Sequence, residues 1–120
     1  MSLDARGLPV GYPFRPDLEV TPRDVQTAMS DVYLIDCRNP DEWAAARIPG
    51  AVLIPLHTLE SRVDDIEAEA AGRPVVVHCH MGGRSMKAAL FLRGKGIDSK
   101  SMAGGIEAWS LGVDPTVPRY

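Results

Sequence analysis

Several features that would place a protein in a special class are scarce or missing in this sequence. Only two of the 120 residues are cysteine, and aromatic residues make up 6%. Two cysteines are too few for the disulfide framework of a small secreted protein. No apolar run approaches the roughly eighteen residues of a membrane span, and the N-terminus lacks an apolar signal core. The formal net charge of −3 lacks the positive excess that binds nucleic acid. We therefore expect a cytoplasmic protein without nucleic-acid or membrane partners.

The composition that is present fits one globular domain. Apolar residues make up 45% of the chain and charged residues 24%, which is ordinary usage for a folded domain. Glycine and proline cluster in residues 1–16, and Pro115 and Pro118 recur near the other end. Proline lacks the donor that helices and sheets require, and glycine resists being fixed. We therefore predict an irregular N-terminal arm over residues 1–16, one domain over 17–112 and a C-terminal tail over 113–120.

Short apolar runs alternate with helical patterns in the central part of the chain. The runs occupy residues 32–35, 51–54 and 74–78, with weaker ones at 99–102 and 18–20. Near-continuous β-branched runs are typical of strands that are covered on both faces, as in a parallel sheet. Cap residues precede prolines at Thr21-Pro22 and Asn39-Pro40, and further helical patterns cover 59–71, 84–93 and 105–109. This alternation predicts an α/β fold with helices on both faces of a parallel sheet.

The segment around Cys79 carries the features of a nucleophilic site. A strand ends directly before Cys79, a turn with Gly82 and Gly83 follows, and a helix begins a few residues later. Such a turn can aim its backbone N–H groups inward, and together with a helix N-terminus it attracts anions. The same setting lowers the pKa of a thiol. Arg84 adds a permanent positive charge with donors that suit an oxyanion. The pattern predicts a sulfur nucleophile that acts on an anionic substrate.

Three motifs together resemble the rhodanese (thiosulfate sulfurtransferase) domain family, in its single-domain type. The segment 79–84, Cys-His-Met-Gly-Gly-Arg, resembles the six-residue active-site loop of that family. The segments 34–43 and 47–51 resemble its N-terminal signature, and 104–109 resembles its C-terminal signature. The resemblance covers about residues 18 to 111. It implies the rhodanese-like fold, a five-stranded parallel sheet flanked by helices on both faces.

The resemblance also implies a sulfurtransferase reaction and a set of site residues. Cys79 would attack the sulfane sulfur of thiosulfate or a similar small anionic donor, release sulfite and carry the sulfur as a persulfide. A thiol, cyanide or a protein partner would then accept the sulfur, and no cofactor or metal is expected. The substrate-binding loop would consist of His80, Met81, Gly82, Gly83, Arg84 and Ser85, with Ser85 capping the helix. The mechanism requires a Cys79 sulfur that solvent can reach.

Two other kinds of function share parts of this pattern. Phosphatases and arsenate reductases also combine a cysteine, a loop and an arginine, but the phosphatases that resemble this fold carry one more residue in the loop. Only four residues separate Cys79 from Arg84, which disfavours them. A non-catalytic or sulfur-relay binding module is the other alternative, although related domains with purely binding roles lack the cysteine.

Three residues on a neighbouring predicted strand extend the candidate site. Asp36 and Arg38 would support the loop from another strand end, with a structural ion pair as the favoured interpretation. Cys37 stands where the family usually has an aliphatic residue, and its strand should neighbour that of Cys79. Cys37 is either a resolving or sulfur-relay thiol or a small apolar core residue, and the sequence alone favours the core residue. Arg47 replaces a histidine usual in the family, at a position that shapes a turn.

Overall fold

The computed structural model describes residues 3–120, so the first two residues of the predicted N-terminal arm lie outside the described part. The strands are β1 (Glu19–Val20), β2 (Tyr33–Asp36), β3 (Val52–Leu53), β4 (Val75–His78) and β5 (Ser99–Met102). The helices are α1 (Pro22–Thr27), α2 (Pro40–Ala45), α3 (Val63–Ala70), α4 (Gly83–Gly94) and α5 (Gly105–Gly112). A 3₁₀ helix, Leu56–Arg62, precedes α3.

The five strands form one parallel sheet in the order β1-β5-β4-β2-β3. This arrangement confirms the fold predicted from the sequence, a five-stranded parallel sheet with helices on both faces. The strands β2 and β4 are neighbours, and their register pairs Asp36 with His78. The carboxyl ends of these two strands therefore lie side by side at the edge of the sheet where ligands bind in such folds.

Alternating side chains of the strands build two cores, one on each face of the sheet. On one face, Ile35 and Val77 pack with Ile66 of α3 and Leu92 of α4. On the other face, Leu34 and Val76 pack in a second cluster, whose helical members are Val25 of α1 and Ile106 and Trp109 of α5. Because neighbouring residues of a strand point to opposite faces, the apolar runs of β2 and β4 feed both cores.

Local chemistry explains where several helices begin, and it corrects one prediction. Thr21 accepts a hydrogen bond from the Asp24 N–H at 3.1 Å, so the predicted cap of α1 is present. The helix predicted over residues 59–71 is wrong in its first part, where the chain forms the 3₁₀ helix. In that stretch the hydroxyls of Thr58 and Ser61 donate to the carbonyls of Pro55 and Thr58 at 2.8 and 2.9 Å. Side-chain donors that occupy carbonyls three residues back favour the tighter 3₁₀ turn.

The chain before β1 packs onto the domain rather than extending away from it. Leu8 is fully buried against Ala103 and Ala108. The Tyr12 hydroxyl donates to Glu19 at 2.9 Å and accepts a hydrogen bond from the Gly104 N–H at 3.2 Å. These contacts tie the N-terminal segment to the turn that precedes α5. Within residues 3–120, no helix is long and apolar enough to cross a bilayer.

Candidate active site

Cys79 follows the last residue of β4, and its sulfur faces the start of α4. The Gly82 N–H donates to Sγ at 3.1 Å and the Ser85 N–H donates to it at 3.4 Å. The Ser85 hydroxyl oxygen also lies 3.4 Å from Sγ. Two backbone donors thus converge on one sulfur atom at the N-terminus of a twelve-residue helix, where the helix dipole also favours negative charge.

The turn around the sulfur depends on two glycines, one of which belongs to a different element. Gly82 has a φ of +119°, a conformation that other residues rarely adopt. Gly105, with a φ of +60°, lies so close that an added Cβ would stand 2.4 Å from the His80 carbonyl oxygen. The N–H groups of Ile106 and Glu107 donate to the carbonyls of Cys79 and His80 at 2.9 and 3.1 Å. The start of α5 therefore holds the outer side of the loop.

The sequence prediction assigned the Gly104-Gly105 pair to the opening of a helix and gave it no part in the site. The pair does open α5, but the close approach of Gly105 to the loop adds a second role. The paired glycines were the available signal, because two adjacent glycines before a helix often mark a close backbone approach.

The surroundings of Cys79 lower the pKa of its thiol from 9.0 to about 4. The largest cause is a hydrogen bond from the Cys37 thiol, which favours the thiolate, while burial opposes it and the Ser85 and Gly82 donors reinforce it. The same interaction raises the pKa of Cys37 far above its ordinary value, because its proton is shared with a neighbouring negative charge. Cys79 is therefore a thiolate and Cys37 a thiol near neutral pH.

The positive charge of Arg84 is paired with a carboxylate rather than free. Its guanidinium makes two hydrogen bonds with the Glu42 carboxylate, at 2.6 and 2.9 Å. This pairing lowers the pKa of Glu42 to about 2. The Tyr120 hydroxyl donates to Glu42 at 2.7 Å and accepts from Arg38 at 2.9 Å. Glu42 is thus a site residue that the sequence reasoning missed, since the sequence analysis gave this residue no part in the site.

The loop residues next to Cys79 differ in exposure. Met81 is 60% exposed, and the His80 ring stacks on Tyr120 with ring centroids 4.1 Å apart. Cys79 itself is 1% exposed. The sequence argument needs a sulfur that solvent can reach, and with the loop in this arrangement the sulfur is enclosed. The expectation of a solvent-accessible sulfur is therefore wrong for this arrangement, and a sulfur donor could reach Cys79 only if the side chains around the loop moved.

Asp36 and Arg38 form a fully buried ion pair at the end of β2, with 2.7 Å between Nη2 and Oδ2. Arg38 also donates to the Ala46 carbonyl at 2.6 Å. His78 is fully buried as well, and its Nε2 stands 3.7 Å from the Asp36 carboxylate. Burial lowers the pKa of His78, so its ring is neutral. Removing one member of a buried pair typically costs about 3–5 kcal/mol, and support of the active-site loop by this pair stays a prediction.

Ser85 lies in the first turn of α4 and does not cap it. The cap position belongs to Gly82, whose conformation and lack of a side chain leave the capping role unfilled. The Ser85 hydroxyl instead donates to the Gly82 carbonyl at 3.2 Å and lies 2.7 Å from the Ser101 hydroxyl. The predicted capping role is wrong, because this hydroxyl faces the Cys79 sulfur and the β5 strand. Its bonds keep the loop closed around the sulfur.

Comparison with known families and proteins supports the resemblance that the motifs indicate. The model of the rhodanese-like domain family matches residues 21–111. The chain is 37% identical over 81 residues to a protein named sulfurtransferase from Allochromatium vinosum, covering 67% of this chain and 73% of that protein. A human single-domain sulfurtransferase of known structure superposes with a TM-score of 0.65 at 28% identity, covering 76% of this chain and 93% of that one.

Two longer relatives come from Arabidopsis thaliana. A chloroplastic rhodanese-like/PpiC domain-containing protein is 38% identical over 77% of this chain, which spans 31% of that protein. A protein named adenylyltransferase and sulfurtransferase is 33% identical over 72% of this chain, which spans 22% of it. The chain thus matches one part of these proteins, and their other parts have no counterpart in the alignments.

Proposed function

The chain belongs to the rhodanese-like domain family, and on that premise we propose that it transfers a sulfane sulfur through a persulfide on Cys79. The donor is thiosulfate or a similar small anionic compound, and the acceptor is cyanide or a thiol. The single observation that carries the proposal is the Cys79 sulfur, held as a thiolate by the neighbouring Cys37 thiol and by the Gly82 and Ser85 donors. The relatives named sulfurtransferase support it.

In the first step, the Cys79 thiolate attacks the outer sulfur of thiosulfate. The S–S bond of the donor breaks, its electron pair leaves with sulfite, and the outer sulfur stays on Cys79 as a persulfide anion. The negative charge moves outward by one atom, so the N–H groups that now donate to Sγ would donate to the new terminal sulfur. Backbone N–H groups suit this task because they stay in place while the charge shifts.

Arg84 binds the sulfite end of the donor in this proposal, and Glu42 competes with the donor for it. The guanidinium is bidentate to Glu42 in the free protein, so donor binding exchanges one anion for another. This exchange preserves charge balance at the mouth of the site. It also weakens the binding of a small anion relative to a site with an unpaired arginine.

In the second step, a nucleophilic acceptor attacks the terminal sulfur and restores the Cys79 thiolate. Cyanide gives thiocyanate, and a thiol gives a new persulfide. His80 and Met81 are the residues of the loop that an acceptor meets first, since both reach the surface. A protein partner is a further acceptor or donor, because one relative is named both adenylyltransferase and sulfurtransferase.

The test measures thiocyanate formation from thiosulfate and cyanide by the purified protein and by its Cys79→Ser variant. We expect turnover by the unmodified protein and none by the variant, because a hydroxyl cannot form a persulfide. Thiosulfate alone should release one equivalent of sulfite, and this release should depend on Cys79. An undiminished rate in Cys79→Ser would falsify the proposal.

The same protein samples decide between this function and its alternatives. Cys79-dependent cleavage of a chromogenic phosphate ester without sulfur transfer would favour a phosphatase-like enzyme. Failure to acquire sulfur from thiosulfate and from a small-molecule persulfide would favour a non-catalytic binding module. The loop of four residues between Cys79 and Arg84 disfavours the phosphatase, and the presence of Cys79 disfavours the purely binding module.

A further inference from the structure

We propose that Cys37 is a resolving thiol that attacks a persulfide on Cys79, forming a Cys37–Cys79 disulfide and releasing sulfide. This inference rests on the persulfide of the proposed function and adds a second outcome for the bound sulfur. Without a competing acceptor, the protein would act as a sulfide-releasing enzyme that ends its turnover as a disulfide, which an external dithiol then reduces.

The backbone brings the two cysteines into disulfide range. The register of β2 and β4 pairs Asp36 with His78, so Cys37 and Cys79 are the next pair along the two chains. The Cys37 N–H donates to the His78 carbonyl at 3.0 Å, which extends the ladder to that position. Neighbouring strands lie about 4.8 Å apart, and disulfides join Cα atoms about 4.4–6.8 Å apart. The required approach is therefore already built into the sheet.

The side chains of the two residues also share one face of the sheet. Both belong to the core cluster that contains Ile35 and Val77, and each is 1% exposed. Both cysteines are free in this structure. Because both sulfurs are enclosed together, a reaction between them needs no second molecule to enter, and such proximity strongly favours the internal reaction.

The electrostatics of the two cysteines place a proton where the reaction needs one. The neighbouring Cys79 thiolate and burial raise the pKa of Cys37, so Cys37 stays protonated while Cys79 is charged. When Cys79 takes up a sulfur atom, the negative charge moves to that outer atom. The proton of Cys37 can then follow the charge, which makes Cys37 a nucleophile and the outer sulfur a better leaving group.

The step balances in atoms and electrons. Cys37–SH and Cys79–S–S⁻ give Cys37–S–S–Cys79 and HS⁻. The Cys37 sulfur forms a bond to the Cys79 Sγ, the bond between Sγ and the outer sulfur breaks, and the proton of Cys37 leaves with the outer sulfur. The two cysteine sulfurs are oxidised, and the sulfane sulfur is reduced to sulfide. A dithiol of the thioredoxin or dithiothreitol type then reduces the disulfide by exchange.

The experiment follows a single turnover of the reduced, desalted protein with thiosulfate under anaerobic conditions and without an acceptor. Sulfite, sulfide and intact mass are measured for the unmodified protein, for Cys37→Ser and for Cys79→Ser. We expect the unmodified protein to release one equivalent each of sulfite and sulfide and to lose the mass of two hydrogen atoms. Serine at position 37 keeps a hydroxyl donor near Cys79 but cannot form a disulfide, so this variant should release sulfite alone and keep one additional sulfur atom.

The outcomes separate the two proposals. If the unmodified protein retains the additional sulfur and releases no sulfide, the role of Cys37 is wrong while sulfur transfer stands. If neither the unmodified protein nor Cys37→Ser releases sulfite or gains sulfur, the persulfide itself is absent and both proposals are wrong. Formation of the disulfide without sulfide would also overturn the resolving role, because oxidation would then have another source.

Discussion

At the scale of single residues, the site is defined by how its charges are paired. The Cys79 thiolate is surrounded by uncharged polar groups, namely two backbone amides, the Ser85 hydroxyl and the Cys37 thiol. The cation of Arg84 is paired with Glu42 instead. Because these groups are uncharged, they do not neutralise the nucleophilic thiolate. The cation that would bind the sulfur donor is paired with a carboxylate in the free protein.

Glu42→Gln should therefore strengthen the binding of thiosulfate. The amide keeps the size of the side chain but removes the charge that competes for Arg84. We expect the KM for thiosulfate to fall by about two- to fivefold with kcat little changed, since a partly exposed ion pair contributes about 0.2–1 kcal/mol. Steady-state thiocyanate assays at low ionic strength provide the measurement.

Asp65→Asn is the matched control for this substitution. It removes a carboxylate from an exposed pair with Arg62, at 3.0 Å, on α3. The KM of this control should stay at the value of the unmodified protein. An unchanged KM in Glu42→Gln, or an equal fall in both variants, would contradict the competition between Glu42 and the donor.

At the scale of elements, the active-site loop is held between the starts of two helices. The first turn of α4 supplies the donors that face inward to the sulfur. The first turn of α5 supplies N–H groups that bind the loop carbonyls from outside. Loop geometry is thus fixed by backbone groups, which makes it sensitive to any side chain that separates the loop from α5.

Gly105→Ala tests this dependence. Its added methyl group would lie 2.4 Å from the His80 carbonyl oxygen and 2.6 Å from that of Cys79, so the loop must shift. We expect the free energy of unfolding to fall by about 1–3 kcal/mol from overpacking, beyond the cost of a left-handed alanine, and sulfur transfer to fall with it. Urea unfolding and thiocyanate assays measure the two effects.

Gly96→Ala is the control that separates the steric clash with the loop from the conformational free energy of placing alanine at a positive φ. Gly96 also has a positive φ, +84°, but no heavy atom lies within 4 Å of the position its Cβ would take. This variant should lose only the conformational cost of about 1–2 kcal/mol and keep its sulfur transfer. Equal losses of stability in the two variants would show that the contact with the loop is unimportant.

At the scale of the whole molecule, the ionised cysteine links folding to pH. The pKa of Cys79 is lowered from 9.0 to about 4 in the folded protein, so the unfolded chain binds more protons than the folded one between these values. The contribution of Cys79 to stability is therefore fully present above about pH 9 and is lost as the pH falls toward about 4. Cys37 acts in the opposite sense above pH 9, because only the unfolded chain releases its proton there.

Unfolding measurements under reducing conditions should show this linkage. Between about pH 5 and about pH 8, the free energy of unfolding of the unmodified protein should rise relative to that of Cys79→Ser. The carboxylates are present in both proteins, so the difference between the two free energies isolates the cysteine. A difference that is constant with pH would mean that the thiol titrates normally in the folded state.

The sequence predicted those parts of the molecule that depend on local pattern. The β4 run, the glycines after Cys79 and the cap at Thr21 each act within a few residues, and so the sheet, the loop and the neighbouring position of Cys37 followed from them. The pairing of Arg84 with Glu42 and the stacking of Tyr120 on the loop join residues far apart in the chain. Such contacts depend on how the helices and the tail pack, and no spacing in the sequence encodes them.

The enclosure of residue 79 has a consequence for the lifetime of a sulfur atom bound to it. The pocket encloses the sulfur, since Cys79 is 1% exposed. In Cys37→Ser, where no resolving thiol can consume it, a sulfur atom bound to Cys79 should therefore outlast the same group on a small molecule in water.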